Sequence, residues 1–337
     1  MTTTYVFGAG ASCDIGYPLA SEMGTALLNY MLKSQSPNLR IRAEYLVDTF
    51  GESPNIEDLI TQMQTTISAL KGSHRSEDIV QRQRLGNGLG ALRDALGSWF
   101  REIRTASSPN YAAFAQEVVQ SGDTVITFNY DDSLERELRR AGKWDISQGY
   151  GFPLGIIEYP STVRMLKLHG SINWLVSVFG GAVGGSFFTS PRGSSLGDHP
   201  VIHEADLKFL EYEDFQGHTY RSGGAFPCLI LPGRTKEFFY DTSFGNEYGQ
   251  FWDHLWSQAS DAVKRCQKIV ICGYSLLPVD QRACELLLKR PRKETRVEVV
   301  CGGQTERIID DFRNAGFNSV TSIQRYFKEW VRADKDA

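Results

Sequence analysis

Tyr5-Val6-Phe7 runs directly into Gly8-Ala9-Gly10-Ala11-Ser12, and this junction decides the fold. Three bulky strand formers followed by a tight glycine turn predict a β-strand feeding a helix, with Ser12 as its cap. Such a turn can bring backbone N–H groups close to a phosphate. Glycine has no Cβ to obstruct the approach, and a helix N-terminus adds positive potential. The full dinucleotide fingerprint has a third glycine where this chain has Cys13. It also has an acidic residue about twenty positions on, where Lys33 and Ser34 stand. The turn alone therefore predicts a phosphate-facing loop and no particular cofactor.

With 337 residues the chain can bury one large core or two modest ones. Its 41% apolar and 23% charged content are those of a globular protein. A net charge of −4 argues against a broadly basic surface, so no sequence-specific nucleic-acid binding is expected. No apolar run reaches membrane-spanning length. The N-terminus shows no basic region followed by an apolar stretch and a cleavage site, so the expected location is the cytoplasm. None of the six cysteines forms a C-x-x-C pair, and local spacing gives a four-thiolate zinc site no support. Three lie in or beside apolar runs, where a free cysteine behaves as a small buried hydrophobe, whereas Cys13 falls in the expected phosphate loop.

Leu19, Met23, Leu27 and Met31 recur at i, i+4 steps and predict an amphipathic helix that Pro37 closes. A helical insertion is expected over about residues 35–110. Within it Ile56, Leu59, Met63, Ile67 and Leu70 mark one helix capped by Asn55. Leu85, Leu89, Leu92, Leu96 and Ile103 mark another, with polar residues 72–84 read as a loop or a frayed helix. Strands are predicted at 124–128, 164–168, 226–231, 268–272 and 297–301. Helices are predicted at 132–140, around Phe251, Leu255, Ala259 and Val263, over Leu286-Leu287-Leu288, and at 305–314. Residues 175–225, rich in glycine and serine across 179–196, read as a loop region, mobile or partner-dependent. Strands alternating with helices predict an α/β fold: a Rossmann-like, doubly wound, mostly parallel sheet with a helical insertion, all within one catalytic domain over 1–337.

In such sheets ligands bind beyond the carboxyl ends of the strands. Gly8, Asn129, His169 and Gly273 each follow a predicted strand, so four loops are expected to build one site. Asn129 and Asp131, an amide and a carboxylate two residues apart, can read a carboxamide, fix a ribose hydroxyl or orient a water. An Asx turn capping the next helix explains the same pair. His169 titrates near neutrality and can act as a base beside the permissive Gly170, or it can simply be satisfied by nearby backbone. Gly273-Tyr274-Ser275 is a second glycine turn for a diphosphate or ribose, or an ordinary strand-to-helix turn capped by Ser275.

Taken together, these blocks resemble the sirtuin family, in the right order and across most of the chain. The run from Gly8 to Ser12 followed by Gly16-Tyr17-Pro18 resembles its NAD-binding loop. Thr127-Phe128-Asn129-Tyr130-Asp131 resembles its T-x-N-x-D block, His169-Gly170 its catalytic histidine-glycine, and Gly273-Tyr274-Ser275-Leu276 its later cofactor block. The resemblance implies Asn129 and His169 as catalytic, with Asn129 positioning the ribose and water and His169 acting as base. It implies Asp131 on the nicotinamide amide. Gly8, Ala9, Gly10, Ser12 and Ser275 would hold diphosphate and ribose, and Pro18, Thr127, Gly273 and Leu276 complete the matched cofactor-binding blocks.

Deacylases of the family carry an acidic-Phe-Arg triplet where Leu19-Ala20-Ser21 stand. They also have a zinc module of two C-x-x-C pairs where only Cys228 lies, and an asparagine where Gly302-Gly303 stand. The pattern is similar to the zinc-free branch from bacterial antiphage systems, and the start Asn55-Ile56-Glu57-Asp58 is also similar to that branch. This implies an NAD+ glycohydrolase, with NAD+ as substrate and no zinc, acting as a toxic abortive-infection effector. Control would come from homo-oligomer assembly or from a HerA-type ATPase or Argonaute-type partner. A deacylase or ADP-ribosyltransferase, and a non-catalytic NAD- or ADP-ribose-binding sensor or scaffold, are the alternatives.

Overall fold

The computed structural model describes residues 2–145, 150–151, 162–177, 182–183, 186–187, 201–202, 225–233 and 246–332. The strands described are β1 (Thr3–Phe7), β2 (Thr124–Thr127), β3 (Arg164–Lys167), β4 (Gly170–Ser177), β5 (Ala182–Val183), β6 (Ser186–Phe187), β7 (Val201–Ile202), β8 (Ala225–Leu229), β9 (Lys268–Cys272), β10 (Arg296–Val300) and β11 (Val320–Ser322). The chain divides into two units. One comprises Met1–Tyr17, Arg104–Ser171 and Gln250–Ala337; the other comprises Pro18–Ile103 and Ile172–Gly249.

The first unit holds a six-stranded sheet in the order β11-β10-β9-β1-β2-β3, every pairing parallel. Counted along the sheet's own strands this is the doubly wound order 3-2-1-4-5-6, with its reversal between β1 and β9. The strand cores are continuous apolar runs because both faces are covered: Val6, Ile126, Ile271 and Val299 are fully buried. The helix Ser133–Arg140 joins β2 to β3 and the helix Thr305–Asn314 joins β10 to β11, the crossovers that parallel neighbours require. Phe7 packs edge-on against Phe114 (5.1 Å) and Phe327 (5.4 Å), under the helix Pro109–Ala113, its π-turn continuation Phe114–Val118 and the short helix Phe327–Trp330. The buried face of the helix Asn246–Arg265 carries Phe251, Leu255, Ala259 and Val263, as the spacing predicted.

Four helices, Ala20–Leu32, Pro37–Phe50, Ile56–Ala69 and Ser76–Ile103, form most of the second unit, together with the sheet β7-β4-β8. Met23, Leu27 and Met31 are buried as their spacing predicted, while Leu19 is exposed. Two boundaries differ from expectation. The first helix ends at Leu32, and Pro37 opens the next helix, where its missing N–H is harmless. The long helix begins at Ser76, so of residues 72–84, expected as a loop or a frayed helix, 76–84 are its mostly exposed first turns. The Asn55 cap is present, its Oδ1 accepting from the N–H groups of Glu57 (2.9 Å) and Asp58 (3.3 Å). The expected loop region 175–225 lies largely outside the described residues, apart from the end of β4 and the short strands β5, β6 and β7.

Glycines within the helix Ser76–Ile103 yield opposite expectations. A Cβ at Gly97 would stand 2.3 Å from the ring Cγ of Pro227, whereas one at Gly86 or Gly90 meets nothing within 4 Å. Gly86→Ala should therefore stabilise by about 0.5–1 kcal/mol. At Gly97 the same helix gain is overridden, because forcing the rigid proline ring aside costs about 1–3 kcal/mol. Urea unfolding of the two variants should move the midpoint in opposite directions; equal midpoints would contradict the packing described.

Candidate functional site

Strand register decides where the loops emerge. Phe7 pairs with Thr127 on one side and Cys272 on the other, and Thr127 pairs in turn with Lys167. These four strand ends stand in one row, so Gly8, Phe128, Leu168 and Gly273 leave the sheet at one carboxyl edge beside the strand-order reversal. The structure thus brings the four loops together within the first unit, where the doubly wound fold places ligands. Pro18, by contrast, is the first residue of the second unit.

The glycines are required here for a different reason from the expected one. A Cβ at Gly8 would stand 2.6 Å from the Tyr274 Cα, and one at Gly273 would stand 2.3 Å from the Ala11 nitrogen. The two turns pack backbone to backbone, joined by Gly8 N–H to Cys272 O (3.0 Å) and Gly10 N–H to Gly273 O (2.9 Å). Gly273 also has φ +60°, a conformation that favours glycine. The first turn is a single 3-10 turn, Ala9–Ala11, in which Ala11 N–H bonds Gly8 O and Ser12 N–H bonds Ala9 O. Gly8, Gly10, Ala11 and Ser12 thus already direct their N–H groups at backbone carbonyls.

Ser12 does not cap with its side chain, contrary to the expectation; the hydroxyl turns inward. Its single hydrogen goes to Asp131 Oδ2 (2.9 Å), so Tyr111 (2.8 Å) and Asn129 Nδ2 (3.2 Å) must donate to Ser12 Oγ. Asn129 also donates to Gly8 O (3.0 Å). A carbonyl only accepts, so the NH2 end of the Asn129 amide must face Gly8, which leaves Oδ1 as the end that can accept from a ligand or water. Asp131 accepts from Ser12 through one oxygen and from Ser133 N–H (3.1 Å) through the other. The Asx turn and the polar cluster are thus both present. Burial, with the Asp131 charge second, raises the phenol pKa of Tyr111 and of Tyr17, keeping both hydroxyls protonated as donors. Thr127 shapes the turn, its hydroxyl accepting from Asn129 N–H (3.1 Å).

His169 follows β3. Gly170 (φ +82°) turns the chain into β4, a strand the sequence reading missed because it took this position for a loop. The imidazole meets Phe128 edge-on at 4.9 Å, and Phe128 stacks on Tyr274 at 4.2 Å. Asp280, absent from the sequence reading, brings its Oδ2 to 3.5 Å from His169 Nε2. The local signal was present, since Asp280 also caps the helix Gln281–Cys284, the role that the alternative reading of the turn gave to Ser275. Ser275 and Leu276 sit in the strained part of the second turn. Leu276 is the one described non-glycine residue with positive φ (+46°), and Arg307 donates to the carbonyl oxygens of both.

Asn129, Asp131 and His169 are 9%, 4% and 6% exposed, so the cluster is a covered one. An open cleft of about 420 Å³ lies instead at the opposite, amino edge of the sheet, lined by Thr2, Asp123, Arg164 and Arg265 among others. It contains none of the candidate residues. Among the described residues no group of three His, Cys, Asp or Glu side chains gathers to hold a metal, and no helix is long and apolar enough to cross a membrane.

No protein-family model matches the chain, and no curated protein matches it. Solved structures do. A structure described as the structural basis for the mechanism and regulation of Sir2 enzymes aligns at 13% identity, over 98% of this chain and 90% of that one, with TM-score 0.41. One on sirtuin substrate affinity aligns at 12% identity, over 99% and 93%, with TM-score 0.42. A third, described as Sir2–p53 peptide–NAD+, aligns at 13% identity, over 99% and 92%, with TM-score 0.39. Likeness at this level supplies no statement about substrate.

Proposed function

We propose that the chain is an NAD+ glycohydrolase that releases nicotinamide and ADP-ribose. The observation that carries the reading is the interlocked cluster of Ser12, Asn129 and Asp131 at adjoining strand ends beside the sheet's reversal, with His169 on the next loop. Nicotinamide leaves from a cationic nucleotide, so the bond from ribose C1′ to the ring nitrogen breaks with its electron pair going to the ring, and no strong acid is required. The site must hold the ribose and present a water to C1′. Asn129 Oδ1 orients that water by accepting one of its hydrogens. As the new C–O bond forms, His169 takes the other proton. Gly8, Ala9, Gly10, Ser12, Thr127, Gly273, Ser275 and Leu276 form the cofactor side, and Asp131 meets the nicotinamide amide once a ligand opens its present contacts. The mechanism needs no zinc.

The burial of all three polar side chains favours an enzyme whose site opens on demand, in keeping with a toxic effector of antiphage defence. Control by homo-oligomer formation, or by a HerA-type ATPase or Argonaute-type partner, belongs to the same proposal. The test is incubation of the purified protein with NAD+, alone and after co-expression with its neighbouring genes, with chromatography of the products. Nicotinamide and ADP-ribose in equal amounts are expected. Bound NAD+ recovered intact under both conditions would replace this reading with that of a sensor or scaffold.

A further inference from the structure

His169 is held by more than its own loop. Its side chain is 8% exposed, Phe128 walls one edge, and the carboxylate of Asp280 stands 3.5 Å from Nε2. That carboxylate is itself fixed at both oxygens. Oδ1 accepts from Ala283 N–H (3.3 Å), and Oδ2 accepts from the Tyr274 hydroxyl (3.1 Å), whose ring lies flat against Phe128 (interplanar angle 13°). The phenol, the carboxylate and the imidazole thus form a short chain from the turn after β9 to the loop after β3.

A fixed carboxylate opposite one ring nitrogen determines two properties of a histidine. It holds the proton on the facing nitrogen, here Nε2, which puts the lone pair on Nδ1. It also stabilises the imidazolium formed when Nδ1 takes up a proton. Such contacts are often long before substrate binds and tighten in the reacting complex. We propose that Asp280 is a positioning residue for His169, setting its tautomer and raising its basicity, with Tyr274 holding the carboxylate in place. This rests on the reading of His169 as the base. Among the described residues, Arg282 lies over Trp256 (4.8 Å) and pairs with Asp253 (2.6 Å), and Lys167 pairs with Glu135 (2.6 Å).

The variant for the test is Asp280→Asn, which keeps an oxygen for the Ala283 cap and removes the charge. Imidazole NMR titration of the full-length protein, with His169→Gln to assign the signal, reads the pairing directly. The His169 pKa is expected to fall by about one unit in Asp280→Asn, with loss of the fixed Nε2–H tautomer. In turnover, the acid limb of the pH profile should move down by the same amount. The maximal rate should drop at least about tenfold with KM little changed, and Asp280→Glu should recover part of the loss. An unchanged titration and tautomer in Asp280→Asn would overturn the inference. If the wild type cleaves no NAD+, the NMR shift still decides the pairing, and only the reading of the reaction is lost.

Discussion

Asn129→Ala should lower kcat/KM for NAD+ cleavage by about 10²–10³-fold while the protein remains folded. The two effects separate because the amide has two ends. Its NH2 end binds Gly8 O and Ser12 Oγ, and losing two such hydrogen bonds costs about 1–2 kcal/mol of stability. Its carbonyl end is the one that orients water, and a reactant left unaligned loses far more rate than the fold loses stability. Asn129→Asp should be worse for stability than Asn129→Ala. A carboxylate cannot donate to Gly8 O, and it places a second negative charge beside Asp131. Nicotinamide release and thermal unfolding, measured on both variants, check the separation. Turnover in Asn129→Ala equal to the wild type would remove Asn129 from the reaction.

The same residues indicate how far a sequence carries such an argument. Strand-then-glycine at Phe7-Gly8 and Cys272-Gly273, and the β-branched run before Asn129, are local signals, and they placed four strands and four loops correctly. Register did the rest, because strands of similar length paired in parallel bring their ends level. What local signals could not convey is whom a side chain meets. Ser12 looked like a cap because serine before a helix usually is one. Its hydroxyl instead finds Tyr111 and Asp131, 99 and 119 residues away. Asp280 looks like nothing more than a helix cap until the fold sets His169 against its second oxygen. The glycines stand out in the sequence as a phosphate approach, yet what needs their missing Cβ in the structure is the other turn's backbone.

Lys167 is the extreme case, and its replacement should be the most destabilising change considered. In sequence it is one of two charged residues in the strand run 164–168, and nothing local marks it as buried. In the structure its side chain is fully buried, with Nζ 2.6 Å from Glu135 Oε1 and also donating to Asp131 O. Tyr150 donates a second hydrogen bond to Glu135 Oε1 (3.2 Å), while Glu135 Oε2 has no hydrogen-bond partner among the described residues. Burial raises the Glu135 pKa, and the Lys167 charge opposes the rise. Lys167→Met removes that opposition and strands a buried carboxylate, at a cost of about 3–5 kcal/mol. The sign with pH then follows. A carboxyl whose folded pKa lies above its unfolded value binds more protons when folded, so its contribution to stability falls as pH rises through that interval. Lys167→Met should therefore regain stability as pH is lowered from neutrality, whereas Lys167→Met/Glu135→Leu, with no charge to strand, should lie close to the wild type at every pH. Urea unfolding at several pH values distinguishes these outcomes, and a single variant as stable as the wild type would refute the burial of the pair. The effect reaches the site as well: Lys167 holds the carbonyl of Asp131, so the ion pair forms the floor on which the Asn129 and Asp131 turn is set.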